Sequence, residues 1–133
     1  MYTLSILLES NHFTPVKLPK DYHKEVPDPY VKLRVCGVPF DSSEANKFKT
    51  KSICNNGFSP SWDETFEFNV RIPELAFLEV ILMDEDVLTK NDLLGYSYIP
   101  MEHIRPGYRM VSLYQADGSV IPSASLLFHV CIL

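Results

Sequence analysis

Short runs of β-branched and aromatic residues recur along this chain, each bounded by clusters of Pro, Gly, Asn and Asp. Runs of period two spaced about 8–12 residues apart have one common solution, an antiparallel sandwich or barrel. Eight strands are predicted, at roughly Tyr2–Glu9, Tyr30–Cys36, Lys47–Cys54, Asp63–Val70, Phe77–Met83, Leu94–Pro100, Arg109–Tyr114 and Ser125–Ile132. In the fourth, Phe66, Phe68 and Val70 alternate with Glu67 and Asn69, so one face turns to a core and the other to water. The fifth sets Leu78, Val80 and Leu82 against Glu79, Ile81 and Met83, a denser pattern that suits a central strand covered on most of both sides.

Asp28-Pro29, Asn55-Asn56-Gly57, Asp92 to Gly95, Pro106-Gly107 and Asp117-Gly118 read as turns. No helix of ordinary length is expected, only short turns near Asp41–Ala45 and Met101–Ile104. Three connections, Asn11–Pro27, Asn55–Ser61 and Asp84–Leu93, are long enough to invite a functional role.

With 133 residues, 46% of them hydrophobic and 22% charged, the expectation is one globular domain over residues 1–133, too short for a two-domain enzyme. No uncharged apolar run reaches the roughly 18 residues that span a bilayer, and Met1–Leu8 lacks the basic start and cleavage site of a signal peptide. Twelve Lys and Arg against seventeen Asp and Glu give a net charge of −5, which argues against nucleic acid as a partner. Cys36, Cys54 and Cys131 are widely spaced and odd in number, so they read as reduced, mostly buried thiols of a cytoplasmic protein. The four histidines form no metal or nucleophile pattern, and His129, alternating within an apolar strand, reads as a core residue.

Asp84, Glu85, Asp86 and Asp92 crowd one connection, where mutual repulsion is relieved by solvent or by a cation. Asp84-x-Asp86 at a strand end sends alternate carboxylates the same way, which suits a hard cation. It is not an EF-hand: counting from Asp84, the sixth position is Thr89 and the twelfth is Gly95. Asp28, between Pro27 and Pro29, is presented at a rigid loop-to-strand junction, and Asn56 offers a neutral oxygen beside Gly57. Lys47, Lys49 and Lys51 alternate along one predicted strand, Lys32 and Arg34 along its expected neighbour, so five cations can share a face.

Asp28-Pro29-Tyr30-Val31-Lys32, Lys49-Thr50-Lys51, Pro60-x-Trp62-Asp63-Glu64-Thr65-Phe66-Glu67-Phe68, Asp84-x-Asp86 and Asn91-Asp92-Leu93-Leu94-Gly95, in that order, resemble the motif series of a C2 domain. Further segments, among them Val70–Ala76 and Gly107-Tyr108-Arg109, are most similar to the C2 domain of phosphoinositide-specific phospholipase C. The resemblance implies an all-β, eight-stranded antiparallel sandwich of the type II permutation, with one strand before the Asp28 loop. It implies a non-catalytic, calcium-dependent module that binds phospholipid membranes, the targeting part of a phospholipase C whose catalytic domain lies elsewhere. The alternative is a calcium-independent protein-interaction or intramolecular scaffold domain that docks on a catalytic domain.

Carried over by position, the implied Ca2+ ligands are Asp28, Asn56, Asp84, Asp86 and Asp92, with Val87, Leu88 and Phe58 entering the membrane. Tyr30, Lys32, Arg34, Lys49 and Lys51 match a phosphoinositide-binding cluster. A further family acid falls on Tyr22, with Asp21 one position off, which leaves Asp21 and Glu25 without a role. The expected state is a monomer in the cytoplasm that moves to the membrane as calcium rises.

Overall fold

The computed structural model describes residues 2–12, 28–53, 61–85 and 92–133. Eight strands run in the order β1 (Tyr2–His12), β2 (Pro29–Cys36), β3 (Lys47–Lys49), β4 (Ser61–Val70), β5 (Phe77–Asp84), β6 (Asp92–Pro100), β7 (Gly107–Tyr114) and β8 (Val120–Ile132). All pairings are antiparallel, and the neighbours follow β3-β2-β5-β6-β7-β8-β1-β4. The ladder between β6 and β7 is reduced to the pair Tyr96↔Tyr114. The sheet is thus two four-stranded halves, β3-β2-β5-β6 and β7-β8-β1-β4, hinged at one point and folded over a shared core as the expected sandwich.

The alternation read in the sequence decides which side chains fill that core. Leu78, Val80 and Leu82 from the first half and Leu4, Ile6, Leu8, Phe68 and Leu126 from the second are fully buried. Each contributes about 1.5–3 kcal/mol relative to exposure, an upper estimate because unfolded chains already shield some apolar surface. β5 is central, between β2 and β6, and its outer residues are covered as well, Glu79 fully and Ile81 and Met83 in part.

The two long edges of the sandwich close differently. At β3 and β4, the outermost strands, the Phe48 ring stacks on Phe66 at 5.1 Å and meets Phe68 edge-on at 5.0 Å. Beside them the buried Asn46 side chain donates to the Asn69 carbonyl at 2.8 Å and the Asp41 carbonyl at 3.0 Å, and accepts from the Asn69 amide at 3.1 Å. The fully buried Asp41 carboxylate accepts from the Arg71 and Ile72 amides at 2.7 and 3.0 Å, pinning the segment after β4 to the one after β2.

At the other edge, β6 and β7 diverge from Tyr96 and Tyr114 and leave a cleft of about 380 Å3. Ile99, Phe128 and Ser97 lie along it, with Arg105 and Arg109 at its mouth. The Arg109 guanidinium donates to the Arg105 and Pro106 carbonyls and so shapes the turn into β7.

Several expectations need correction. Asp92 to Gly95, read as a turn, is the start of β6, paired with β5 from Asp84↔Asp92 onward. The third strand ends at Lys49 instead of continuing to residue 54. The Thr50 hydroxyl accepts from the Val31 amide at 2.9 Å and donates to the Lys51 carbonyl, replacing a ladder partner with a side chain. Cys36 is partly exposed and Cys131 exposed, while Cys54 lies outside the described residues. His129 is on the outer face between buried Phe128 and Val130, with its ring 4.6 Å from that of Tyr108, so it is no core residue. Besides the two short turns expected, a third 3-10 turn forms at Pro73–Leu75, started by a proline at its first position.

Glycine chemistry was legible where the backbone needs it. Gly107 and Gly118 have φ of 101° and 92°, and Asp117 closes its turn by accepting from the Ser119 amide and hydroxyl. Gly95 is required for a different reason: a Cβ there would lie 3.1 Å from Ile121 Cδ1 and 3.2 Å from Leu113 Cβ.

Candidate functional site

Strand register gathers the predicted acidic positions at one end of the sandwich. β2 begins, β5 ends and β6 begins at the same rim, where Pro29 is opposite Asp84 and Asp84 opposite Asp92. The Asp28 amide donates to Asp84 Oδ1 at 2.9 Å, and the Glu85 amide returns a bond to the Asp28 carbonyl, also at 2.9 Å. These reciprocal bonds lock the two segments together and fix the Asp84 carboxylate at the rim. The Ile53 amide donates to the Pro29 carbonyl at 3.1 Å, which delivers the start of the second long connection to the same place. Glu85 turns aside to accept from the Ser52 hydroxyl.

Asn56 and Asp86, the other predicted ligands, lie outside the described residues, as do Phe58, Val87, Leu88, Asp21, Tyr22 and Glu25. Among the described residues no group of three or more His, Cys, Asp or Glu is placed to hold a metal. The donor chemistry at the rim nevertheless fits a hard cation, since Asp28 and Asp84 offer carboxylate oxygen. Calcium takes six to eight such oxygens, so these two residues can supply only part of a shell.

The predicted cations lie on the outer face of the same half-sheet, in cross-strand rows. Lys47, Arg34, Glu79 and Tyr98 are successive register partners across β3, β2, β5 and β6; two residues away toward the acidic rim, Lys49, Lys32, Ile81 and Tyr96 form the next row. Lys32, Arg34, Lys47, Lys49, Glu79 and Ile81 line a concavity of about 490 Å3. Like charges directly opposite destabilise a sheet, so Lys32 facing Lys49 is a cost that packing alone does not explain. The Lys49 ammonium lies 5.2 Å from the centroid of Tyr30, a ring only 5% exposed, which serves as the floor beneath it. Lys51, beyond the end of β3, is exposed and held by its amide, which donates to Glu64 Oε2 at 2.9 Å. It does not continue the alternation of Lys47 and Lys49.

Glu79 is the residue that the sequence reading did not assign. It is 6% exposed, receives Arg34 Nε at 2.5 Å and Nη2 at 3.3 Å, and accepts from the Tyr98 hydroxyl at 2.9 Å. Burial pushes its carboxyl pKa up, but the bonds from Arg34 and Tyr98 and the charges of Arg34 and Lys32 outweigh burial and hold it below the usual carboxylate range. The same hydrogen bonds raise the pKa of Arg34 and that of Tyr98. Because a depressed carboxyl pKa stabilises the fold above its unfolded value, this contribution is lost as pH falls through the folded one. A glutamate between Leu78 and Val80 was the available signal, but its partner depends on register between strands 45 residues apart.

A sandwich with an acidic rim of loops and a basic outer concavity is matched by the family model for the C2 domain over residues 8–116, and the chain belongs to that family. It is therefore a non-catalytic module, and no helix among its described residues is long and apolar enough to cross a membrane. Among curated relatives, it is 39% identical over 127 residues to 1-phosphatidylinositol 4,5-bisphosphate phosphodiesterase delta-4 of Xenopus laevis, covering 96% of this chain and 16% of that protein. The chain thus spans about a sixth of the length of that relative. Among solved structures, PLC21 of S. officinalis superposes with a TM-score of 0.81 at 30% identity, over 98% of this chain and 15% of the other. The tandem C2 domains of extended synaptotagmin 2 in their calcium-bound form give 0.74 at 25% identity, over 99% of this chain and 45% of that one.

Proposed function

We propose that this C2 domain is a calcium-dependent phospholipid-binding module that targets a phosphoinositide-specific phospholipase C to the cytoplasmic membrane surface. The observation that carries the reading is the convergence of Asp28, Asp84 and the backbone of Asp92 at one rim, on the strands that also bear the Lys32–Lys49 concavity. Lys32 is four residues along β2 from Asp28, about 13 Å at the rise of a strand, so one membrane surface reaches both. Likeness to a calcium-bound C2 pair supports the ion, and likeness to a 4,5-bisphosphate phosphodiesterase supports the phosphoinositide and a catalytic domain in the same parent.

In this reading Asp28, Asn56, Asp84, Asp86 and Asp92 hold Ca2+. Without the ion their charge repels anionic lipid; a bound Ca2+ would cancel part of that charge and leave coordination positions that a lipid phosphate could fill. Val87, Leu88 and Phe58 then enter the headgroup boundary. Tyr30, Lys32, Arg34, Lys49 and Lys51 hold the phosphoinositide headgroup, each cation near the surface adding about 1 kcal/mol. The module acts as a monomer, as one sandwich over residues 1–133.

Sedimentation with liposomes across a calcium titration tests this. Asp84→Asn with Asp86→Asn abolishes calcium-dependent binding and leaves the fold intact, because removing like charges from one loop relieves repulsion. Unchanged sedimentation of the double variant would refute the calcium switch.

A further inference from the structure

We propose that Glu79 is an internal competitor within the basic concavity, and that it limits the site to one strong phosphate position. The inference rests on the proposed reading of that concavity as a phosphate site and deepens it.

The two cross-strand rows are chemically unequal. Lys32 and Lys49 face each other in a row whose other members, Ile81 and Tyr96, bring no carboxylate. One phosphate monoester between these ammoniums relieves their repulsion and has no hydrogen-bonded carboxylate to displace in that row. Two residues away, a distance of about 7 Å along a strand, the second row already contains its anion. There both oxygens of the Glu79 carboxylate engage the guanidinium fork of Arg34, and one of them also accepts from Tyr98. Lys47 in that row is 3.1 Å from Glu44, an exposed pair that solvent weakens, so Arg34 is the cation most firmly engaged.

A second phosphate monoester on the same headgroup would reach Arg34 only by taking the guanidinium from Glu79. That exchange strips a carboxylate 6% exposed of its hydrogen-bonded guanidinium and leaves it only the charge of Lys32, and the cost of a poorly paired buried charge opposes it. Arg34 thus adds long-range attraction but no fork to a second phosphate. The site consequently gains little from a vicinal bisphosphate over a single monoester, and replacing the carboxylate with an isosteric amide releases the discrimination.

The test is calorimetric titration of the chain with two soluble probes, inositol 4-phosphate and inositol 4,5-bisphosphate, repeated on vesicles carrying the corresponding lipids to separate free headgroup from membrane. Glu79→Gln keeps a partner for Tyr98 and raises the preference for bisphosphate over monophosphate about tenfold, the scale of one charge-assisted bond. Arg34→Gln added to Glu79→Gln returns the ratio to near the wild-type value. Tyr98→Phe, at an exposed ring, loosens Glu79 and raises the ratio about two- to threefold, which keeps the proposal testable if the buried Gln disturbs folding.

A Glu79→Gln chain that gains equally for both probes, through net charge alone, overturns the proposal, and so does one that gains for neither. If Lys32→Ala with Lys49→Ala leaves binding of both probes unchanged, the concavity is no phosphate site and the reading beneath the proposal falls. If that pair weakens binding while the Glu79→Gln ratio stays flat, only the role of Glu79 falls.

Discussion

The two long edges of this sandwich solve one problem with opposite chemistry. Where β3 meets β4, aromatic stacking is reinforced by a buried amide and a buried carboxylate that hydrogen-bond backbone on the facing segments. Where β6 meets β7, the one ladder pair Tyr96↔Tyr114 is accompanied by a ring contact at 6.1 Å and gives way to a cleft. Polar side chains that replace missing ladder bonds make an edge strong and intolerant. An edge left partly open is weaker and has room for change.

The largest expected effect lies at the first edge. Asn46→Leu leaves the Asn69 amide and two carbonyls without their partner, and should cost about 2–4 kcal/mol in chemical denaturation. A loss below about 0.5 kcal/mol would show that the stitched edge is not held by its polar bonds. At the hinge, Tyr114→Ala removes an aromatic contact from a side chain already 36% exposed and should cost about 1 kcal/mol, with the β1–β4 ladder still protected in hydrogen exchange. Loss of that protection would mean the halves do not hinge independently.

The smallest effect sharpens the contrast most. Ser97→Leu makes the same polar-to-leucine change beside the open cleft, and there it should be neutral or stabilise by up to about 1 kcal/mol, because apolar atoms gain neighbours in existing space. A rise in thermal midpoint beside a fall for Asn46→Leu would establish the difference in sign. Two falls of equal size would erase it.

Much of this architecture was legible because strand period and turn chemistry are local. Phe68, Val70, Leu78, Val80 and Leu82 are buried where alternation put them, and Gly107 and Gly118 take the left-handed conformations their turns demand. What stayed hidden depends on pairing across the chain. Asp41 looked like an ordinary turn residue, yet it is fully buried and holds amides 30 and 31 residues away. Thr50 looked like mid-strand, but its hydroxyl replaces the ladder and ends β3. The acidic positions were read from carboxylates crowded in one connection and from Asp28 between two prolines, and register then placed Asp28 against Asp84; the basic face was read from alternation, which could not show that Arg34 meets Glu79.

The ladder joining β1 to β8 also sets how the fold responds to tension. Leu4 is paired with Ile132, and the Leu133 amide donates to the Thr3 carbonyl at 2.9 Å, so both ends of the described chain leave from the same side as neighbouring antiparallel strands. Interstrand hydrogen bonds in such a pair run across the strands, and a pull that separates Thr3 from Leu133 stretches them one after another instead of shearing many at once. The domain is therefore mechanically soft along this axis and opens like a zipper. Peeling starts at the end opposite Asp28 and Asp84, so the acidic rim is the last part to feel the force.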